Sequence, residues 1–256
     1  MPDEQIIDPI LLSNFIHQVI NPLNGVLGTL DNIIDGTVKE KSRRQQRLET
    51  VRAQLSSSIE MIRNLAFLSQ LHSSQGIESL RASSSLVNVP TLIIDSIQFF
   101  QESGQQHGLK IWLEDKKTQY LVFGHRQLLK QVLLNVIDNC IKYSHPDTTI
   151  SIETRVQKKT GQLIIEVHND GVGFENEERN KIFELGYRSQ AAMDRKASGS
   201  GIGLFICKRI VELVHQGTIE AEHSSRTSKT TIRMRFPKYK IGEPDDYTRY
   251  QSHTNY

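Results

Sequence analysis

Amide, cationic and aromatic side chains share one face of the apolar segment 125–143, whose periodicity predicts a helix. Asn135, Asn139, Lys142 and Tyr143 follow one another at spacings of 4, 3 and 1, which places them on one side of that helix. Exposed helix faces usually carry Glu and Lys rather than Asn, so a solvated face is the weaker interpretation. We expect this stripe to line a binding site.

An acidic residue and two glycines follow directly after a predicted strand, in Asn169-Asp170-Gly171-Val172-Gly173. A carboxylate at a strand end can bond the amino group of an adenine, and glycine lets the backbone approach a ligand closely. Asp-Gly is also a common turn, so this motif alone does not decide between a ligand site and a turn.

Three glycines lead into a predicted helix at 202–215, in Gly199-Ser200-Gly201-Ile202-Gly203-Leu204. Glycines at a helix N-terminus expose backbone N–H groups that attract phosphates, aided by the helix dipole. A flexible hinge is the alternative interpretation. A dinucleotide site of the Rossmann type would need the motif between a strand and a helix, with an acid about 20 residues later. Here the motif follows a long polar loop instead.

The polar segment 174–198 joins the two glycine motifs. It contains Lys181-Ile182-Phe183-Glu184 and the basic residues Arg188, Arg195 and Lys196. This composition is typical of a mobile lid over a charged ligand, and an ordinary surface loop is the alternative.

Residues 8–72 have the periodicity of two long helices. The first carries a heptad-like apolar seam at Leu12, Ile16, Ile20, Leu23, Leu27, Leu30 and Ile34. Asp35-Gly36-Thr37 signals a turn, and a second apolar stripe runs from Leu48 to Leu65. Because a hairpin of about 60 residues cannot bury enough apolar surface alone, we expect two copies to pair into a dimeric four-helix bundle.

A polar stripe formed by His17, Asn21 and Asn24 runs beside the apolar seam of the first helix. Pro22 has no N–H to donate to the carbonyl of Gln18, so the helix is predicted to kink there. A surface histidine would be the ordinary interpretation of His17. The nucleotide-type motifs in the same chain favour a functional one.

From about residue 86 the pattern changes to short strands that alternate with helices, which predicts an α/β sandwich with a mixed sheet. The fold class of the whole chain is therefore α+β. We divide the chain into an N-terminal antiparallel helical hairpin at 1–72, a flexible linker at 73–85, the sandwich at 86–237 and a polar C-terminal tail at 238–256.

Composition excludes several functional classes. The 256 residues include 31 Lys and Arg against 29 Asp and Glu, a net charge of +2 without a long basic block, which argues against nucleic-acid backbone binding as the main activity. No apolar run reaches the roughly 18–20 residues of a membrane span, and the N-terminus does not resemble a signal peptide. Cys140 and Cys207 are predicted to be buried free thiols in a reducing cytoplasm.

Taken in order, the Asn-bearing helix, the Asp-Gly-x-Gly turn, the Phe183 segment and the Gly-x-Gly-x-Gly motif resemble the ATP-binding domain of sensor histidine kinases. This domain lies within the superfamily that includes gyrase B, the Hsp90 chaperones and MutL. The resemblance covers about residues 86–237 and implies ATP and Mg²⁺ as cofactors.

The resemblance also assigns roles to the motif residues. It implies that Asn139 coordinates Mg²⁺, that Asn135 and Lys142 lie near the phosphates, and that Tyr143 lies beside the adenine. It further implies that Asp170 bonds the adenine amino group through the turn shaped by Gly171 and Gly173. The phosphate tail would approach the segment that contains Gly199, Gly201, Ile202, Gly203 and Leu204.

The segment around His17 is similar to the phosphoacceptor box of the dimerisation and histidine-phosphotransfer domain. By that resemblance a ring nitrogen of His17 is the nucleophile that attacks the γ-phosphate in line. The phosphoryl group would then pass to an aspartate of a response-regulator receiver domain on a separate chain. Asn21 matches the polar residue associated with the phosphatase reaction of the family.

One departure from the family pattern lies beside His17. The family usually has Glu or Asp where this chain has Gln18, and that carboxylate makes the far ring nitrogen a stronger nucleophile. A carboxamide oxygen can fix the tautomer but cannot take a proton. Ile20 stands where the family often has Arg. The sequence therefore predicts slow autophosphorylation.

The function predicted from the sequence is that of a cytoplasmic, homodimeric, ATP-dependent histidine kinase core of a two-component system. A catalytically weak nucleotide-binding scaffold is the alternative. An ATPase of the gyrase, Hsp90 or MutL type is disfavoured, since those enzymes use a Glu in the Asn-bearing helix and 127–143 contains none. Sensory input is predicted to come from another protein or from a removed N-terminal region.

Overall fold

A computed structural model describes residues 9–37, 40–71, 73–196, 199–237 and 241–242 of the chain. The chain divides into two compact units, Met1–Ile77 and Glu78–Tyr256. The first unit is helical, and the second combines helices with two sheets. The α+β class predicted from the sequence is confirmed.

Two long helices form the first unit, α1 (Pro9–Ile34) and α2 (Lys41–Leu71), and they pack against each other as predicted. Val26 of α1 and Val51 of α2 are buried in this hairpin. Gly36 lies in the turn with a φ of +70°, a backbone conformation that glycine adopts without steric cost. Helix α1 continues through Pro22.

A stripe of large apolar side chains on each hairpin helix stays exposed in the single chain. Leu27 is 59% exposed and Ile62 51% exposed. The stripe also includes Ile16, Ile20 and Ile34 on α1 and Leu48, Leu55 and Ile59 on α2. A soluble protein rarely leaves so continuous an apolar surface open to water.

A five-stranded mixed sheet forms the centre of the second unit. Its strands are β2 (Lys110–Leu113), β4 (Thr149–Val156), β5 (Leu163–Asp170), β6 (Thr218–Ser224) and β7 (Lys229–Phe236). They lie in the order β2-β4-β5-β7-β6, and β2 with β4 is the parallel pair. This is the mixed sheet that the alternation of strands and helices predicts.

Helices of the second unit pack against this sheet and bury the core, namely α4 (Val89–Gln106), α5 (Arg126–Tyr143) and α7 (Gly203–Arg209). Two shorter helices, α3 (Ser74–Ala82), which begins before the unit boundary, and α6 (Gln190–Arg195), have no buried residues. A π-helical turn, Ile210–Val214, continues α7. Helix α4 begins at the cap residue Asn88, whose side chain accepts from the Thr91 N–H at 3.2 Å.

The linker prediction for residues 73–85 is wrong for most of that segment, because α3 is helical there. The Arg81 guanidinium at its end donates to the Leu213 carbonyl at 3.0 and 2.6 Å.

A second, three-stranded sheet was not predicted either. It consists of β1 (Ser85–Asn88), β3 (Leu121–Gly124) and β8 (Ile241–Gly242) in the order β1-β3-β8. Its last strand lies in the segment predicted to be a polar C-terminal tail.

An ion-pair network covers the outward face of the five-stranded sheet. Glu220 accepts from Arg233 at 2.6 Å and from Arg235 at 2.7 Å. The Arg235 hydrogen bond, opposed by partial burial and reinforced by Arg233, lowers the pKa of Glu220 to about 2. Glu166 lies between Arg233 and Arg155. Burial alone would raise its pKa, but the two guanidinium groups outweigh burial and hold that pKa below its ordinary value.

This network predicts acid-sensitive stability of the second unit. Because the folded-state pKa of Glu220 lies below its unfolded value, its stabilisation is present above the unfolded pKa of 4.5 and is lost as the pH falls towards 2. Glu220→Gln is expected to lower the free energy of unfolding at neutral pH by about 1–2 kcal/mol, after allowance for solvent screening. The substitution should also make the free energy of unfolding fall less steeply as the pH is lowered. Urea unfolding across this pH range measures both effects, with the exposed Glu102→Gln as control; equal acid slopes in wild type and variant would contradict the prediction.

Candidate nucleotide site

The end of helix α5 and the turn after strand β5 are joined by backbone hydrogen bonds. The Val172 N–H donates to the Tyr143 carbonyl at 3.1 Å, and the His145 N–H donates to the Asp170 carbonyl at 2.8 Å. The side chains of Tyr143 and Asp170 are both half-buried. The fold therefore brings the aromatic end of the predicted stripe next to the predicted acidic turn.

Two glycines of this turn are required by close approaches. A Cβ on Gly171 would overlap the Tyr143 carbonyl oxygen, and it would lie 2.9 Å from Asn169 Nδ2. Gly173 has a φ of +60°, and a Cβ there would overlap the imidazole ring of His223. Any larger residue would push the turn away from its neighbours, so both glycines shape the turn.

Asn135 and Asn139 adjoin the start of helix α7. Asn135 is 7% exposed, and its Nδ2 donates to the Gly203 carbonyl at 3.3 Å. A Cβ on Gly203 would lie 3.9 Å from Asn135 Cγ and 4.0 Å from Asn139 Nδ2. The half-buried Asn139 amide has no hydrogen-bond partner within the described ranges. Its side chain is therefore available to a ligand, whereas the Asn135 amide also holds α7 in place.

Lys142 is engaged by a neighbour on its own helix. Its Nζ pairs with the Asp138 carboxylate one turn earlier, and both side chains are about a third exposed. A role for Lys142 at phosphates would require this ion pair to open or to be shared. The order of the motifs does not indicate this pairing, although the i,i+4 spacing of the two residues is typical of a helical ion pair.

The segment Gly199–Leu204 combines loop contacts with the start of α7. Gly201 has a φ of +67°, and a Cβ there would lie 2.6 Å from the backbone of Gly186. A Cβ on Gly199 would lie 3.2 Å from the Arg188 guanidinium. Ile202 is buried and Leu204 half-buried. Gly201 thus has a structural reason to be glycine that needs no ligand, and Gly203 is the one nearest the two asparagines.

The predicted lid at 174–198 contains ordered short elements rather than one continuous loop. It has two 3₁₀ turns, Asn176–Glu178 and Lys181–Phe183, followed by α6. Ile182 and Phe183 are buried. The Arg195 guanidinium donates to the Ser144 carbonyl at 2.9 Å and so ties α6 to the end of α5. Residues 197 and 198, at the end of the predicted lid, lie outside the described ranges.

Three polar side chains in adjacent strands lie at the edge of this site, and the sequence analysis missed two of them. Asn169 pairs with Thr230, which in turn pairs with His223 across the sheet. Asn169 Nδ2 donates to Ser144 Oγ at 3.1 Å, and His223 Nδ1 lies 2.9 Å from Thr230 Oγ1. In β6 every second side chain faces inward, beginning with Ile219 and Ala221, and His223 is the next in this series. This alternation is the signal that could have identified the histidine.

The polar groups at this site suit a nucleotide with a bound magnesium ion. Amide oxygens are among the hard oxygen ligands that Mg²⁺ accepts beside phosphates, and Asn139 offers one for which no described residue competes. Another potential cation cluster lies on the outward sheet face, where Glu153, Glu166 and His168 have ligand atoms within 4.8 Å of one another. A cation there would compete with the two guanidinium groups bound to Glu166.

The two cysteines are structural, as predicted. Cys140 and Cys207 are buried free thiols, and burial raises the pKa of each to about 12. Neither thiol is ionised near neutral pH, so neither is a nucleophile.

In the helical unit, His17 and Asn21 are both exposed on α1. They stand four residues apart, so they share one face of the helix. Gln18 lies between them in the same helix, and its side chain is outside the described part of the structure. His17 is thus accessible to an incoming group in the single chain.

Comparison with known proteins relates these features to a family. Residues 124–240 match the family model of the histidine kinase-, DNA gyrase B- and HSP90-like ATPases. Over 236 residues, 92% of this chain, the sequence is 28% identical to the sensor histidine kinase WalK of Bacillus subtilis. The match spans 37% of the length of that relative.

Solved structures share the fold. The Acinetobacter baumannii histidine kinase AdeS matches with a TM-score of 0.66 at 23% identity, covering 87% of this chain and 98% of that one. The histidine kinase ThkA, solved in complex with the response regulator protein TrrA, matches with a TM-score of 0.62 at 20% identity, over 91% of this chain and 62% of that one. Of the helices in the described ranges, none is long and apolar enough to cross a membrane.

Proposed function

We propose that this chain, which has the sequence and fold of a sensor histidine kinase catalytic core, phosphorylates its own His17 from ATP and passes the phosphoryl group to a response regulator. A ring nitrogen of His17 forms the new N–P bond with the γ-phosphorus. The bond between the γ-phosphorus and the bridging oxygen breaks, ADP leaves, and the ring proton goes to solvent. An aspartate of a separate receiver domain then takes the phosphoryl group.

The observation that carries this proposal is the convergence of the two asparagines, the acidic turn and the glycine-rich helix start in one unit. Gly203 lies against Asn135 and Asn139, and the turn that bears Asp170 is bonded to the end of the same helix. An adenine at Asp170 would leave its phosphates free to extend along α5 towards Asn139 and Gly203.

Within this pocket Asn139 is the side chain proposed to hold Mg²⁺, because its amide has no hydrogen-bond partner in the described part of the chain. Mg²⁺, when bound, neutralises charge on the phosphates as the γ-phosphoryl group departs. Asn135 would orient the same phosphates while it holds the start of α7. Asp170 would select adenine by accepting from its amino group.

The exposed stripe on the hairpin supports a second element of the proposal, homodimerisation into a four-helix bundle. Pairing two hairpins would bury Leu27, Ile62 and their neighbours, and each fully buried Leu or Ile side chain contributes about 1.5–3 kcal/mol. A partner receiver domain is supported by the complex reported for ThkA and TrrA. Asn21 is proposed to act in the reverse, phosphatase direction.

A nucleotide-binding scaffold with little transferase activity is the second candidate, and Gln18 favours it. Incubation with Mg²⁺ and ATP labelled on either the γ- or the α-phosphate separates the two functions. A kinase should retain the γ-label alone, in an acid-labile and base-stable linkage, and should lose it to a receiver domain. Binding of ATP without attachment of the γ-label would overturn the kinase proposal and support the scaffold.

Replacing Asp170 with Asn is expected to weaken ATP binding about 10- to 100-fold. The change replaces an ionised acceptor with an amide, and a hydrogen bond to a charged group is worth about 1.5–3 kcal/mol. Titration with ATP followed by calorimetry measures the affinity. Asp147→Asn is the matched control, since Asp147 is exposed in the turn before β4. Equal ATP affinities in the Asp170 variant and wild type would rule out the assigned adenine contact.

A further inference from the structure

We propose that His223 is a positioning residue of the nucleotide site: its imidazole ring supports the Gly171–Gly173 turn and so sets where the Asp170 carboxylate meets the adenine. The inference rests on the proposed nucleotide function and adds a residue of β6 to it. His223 belongs to none of the motifs that mark the site in the sequence.

Contact between the ring and the turn is the first support. A Cβ on Gly173 would overlap three atoms of the His223 ring, so the Gly173 backbone lies directly on it. The ring of Phe174, the next residue, has its centroid 5.9 Å from that of His223 with a tilt of 46°. Two consecutive residues of the turn are therefore in contact with one side chain.

Fixation of the ring is the second support. His223 is half-buried, and its Nδ1 shares a hydrogen bond with Thr230 Oγ1 at 2.9 Å in either tautomer. Thr230 is 9% exposed and lies in the neighbouring strand β7. A ring bonded at one edge and covered on its face has little rotamer freedom. Burial lowers the pKa of His223, which keeps the ring neutral near neutral pH, against a smaller opposing effect of Glu175.

Connection to Asp170 is the third support. Asp170 is the last residue of β5 and pairs with Lys229 of β7, beside Thr230. The Gly171 N–H donates to the carbonyl of Ser228 at 2.8 Å, which ties the turn to the residue directly before β7, the strand whose Thr230 bonds His223. The turn is thus fixed on one side by β7 and on the other by the ring. Loss of the ring would leave the second side of the turn unsupported.

A positioning role differs from general packing in its effect on base selection. Support of the turn acts on the adenine contact and leaves the phosphate contacts near Asn139 and Gly203 unchanged. His223→Ala should therefore weaken ATP binding about tenfold, within the value of one hydrogen bond to a charged group. Binding of GTP, which lacks the adenine amino group, should change much less. The preference for ATP over GTP should fall accordingly.

Two further variants separate the ring from its hydrogen bond. His223→Phe keeps a planar ring under Gly173 and loses the bond to Thr230, whereas His223→Asn keeps a group that can bond Thr230 and loses the ring. We expect the Phe variant to retain ATP affinity within about threefold and the Asn variant to behave like the Ala variant. His107→Ala, at an exposed position after α4, is the matched control.

Competition of ATP and GTP with a fluorescent nucleotide tests the inference on the full chain, with thermal unfolding to check folding. Equal losses of affinity for ATP and GTP in the Ala variant, which leave the ATP:GTP preference unchanged, would overturn the inference. A Phe variant that binds ATP as weakly as the Asn variant would also overturn it. If the Ala variant does not fold, the Phe and Asn variants decide. Failure of the wild-type chain to bind ATP would instead refute the proposed function.

Discussion

Replacing Gln18 with Glu is expected to speed autophosphorylation of His17 by about 100-fold or more. A positioned general base typically contributes 10²–10⁴-fold, and this chain has a carboxamide where the family that it resembles usually has a carboxylate. The amide can hold one ring nitrogen by accepting its hydrogen bond, but it does not stabilise the positive charge that develops on the ring. A carboxylate would do both.

The rate is measured from the initial incorporation of γ-label at saturating ATP, so that the comparison reports transfer rather than binding. Gln46→Glu, an exposed position on α2, controls for the added negative charge on the hairpin. ATP affinity should be the same in all three proteins, because the proposed nucleotide site consists of residues of the other unit. An unchanged or lower rate in the Gln18 variant would show that the amide is not what limits the reaction.

Long periodic elements could be predicted from the sequence because one face of each is buried. The hairpin helices, α5 and the strands β4, β5 and β7 all follow from apolar spacing that repeats over eight residues or more. The small sheet could not be predicted in this way. Its strand β1 has four residues and β8 has two, too few to show an alternation, and their pairing depends on β3 elsewhere in the chain.

The other features of the candidate site depend on contacts between segments that are distant in the sequence. The order of motifs indicated Asn135, Asn139 and Asp170, and the structure brings their segments together in one unit. The order of motifs could not indicate that Gly201 lies against Gly186 or that Lys142 pairs with Asp138. Nor could it indicate that the ring of His223 lies under Gly173. His223 is 50 positions from that glycine, and the pairing of β7 with both β5 and β6 brings them into contact.

The linker shows how composition can mislead. Serine-rich sequence at 73–85 indicates a flexible connector, yet α3 forms there and ends in Arg81, which is bound to the Leu213 carbonyl. That carbonyl lies in the π-helical turn after α7, where the wider hydrogen-bond pattern leaves carbonyls at the helix end without an intrahelical partner. A tertiary contact of this kind outweighs weak local propensity.

The identity of the phosphoacceptor is the central claim, and removing it should have the largest effect of all. His17→Ala deletes the ring proposed to form the N–P bond, while the residues of the proposed nucleotide site, in the other unit, are unchanged. The variant should bind ATP with wild-type affinity and incorporate no γ-label. His107→Ala, which removes an exposed histidine outside both the hairpin and the pocket, should incorporate label like the wild type.

The most direct measurement is therefore acid-labile incorporation of γ-label into wild type, His17→Ala and His107→Ala, each first shown to bind ATP. We expect label in the wild-type protein and in the His107→Ala variant, and none in the His17→Ala variant. Undiminished label in the His17 protein would place the acceptor at another residue. No label in any of the three, with ATP bound to all of them, would leave the chain a nucleotide-binding scaffold.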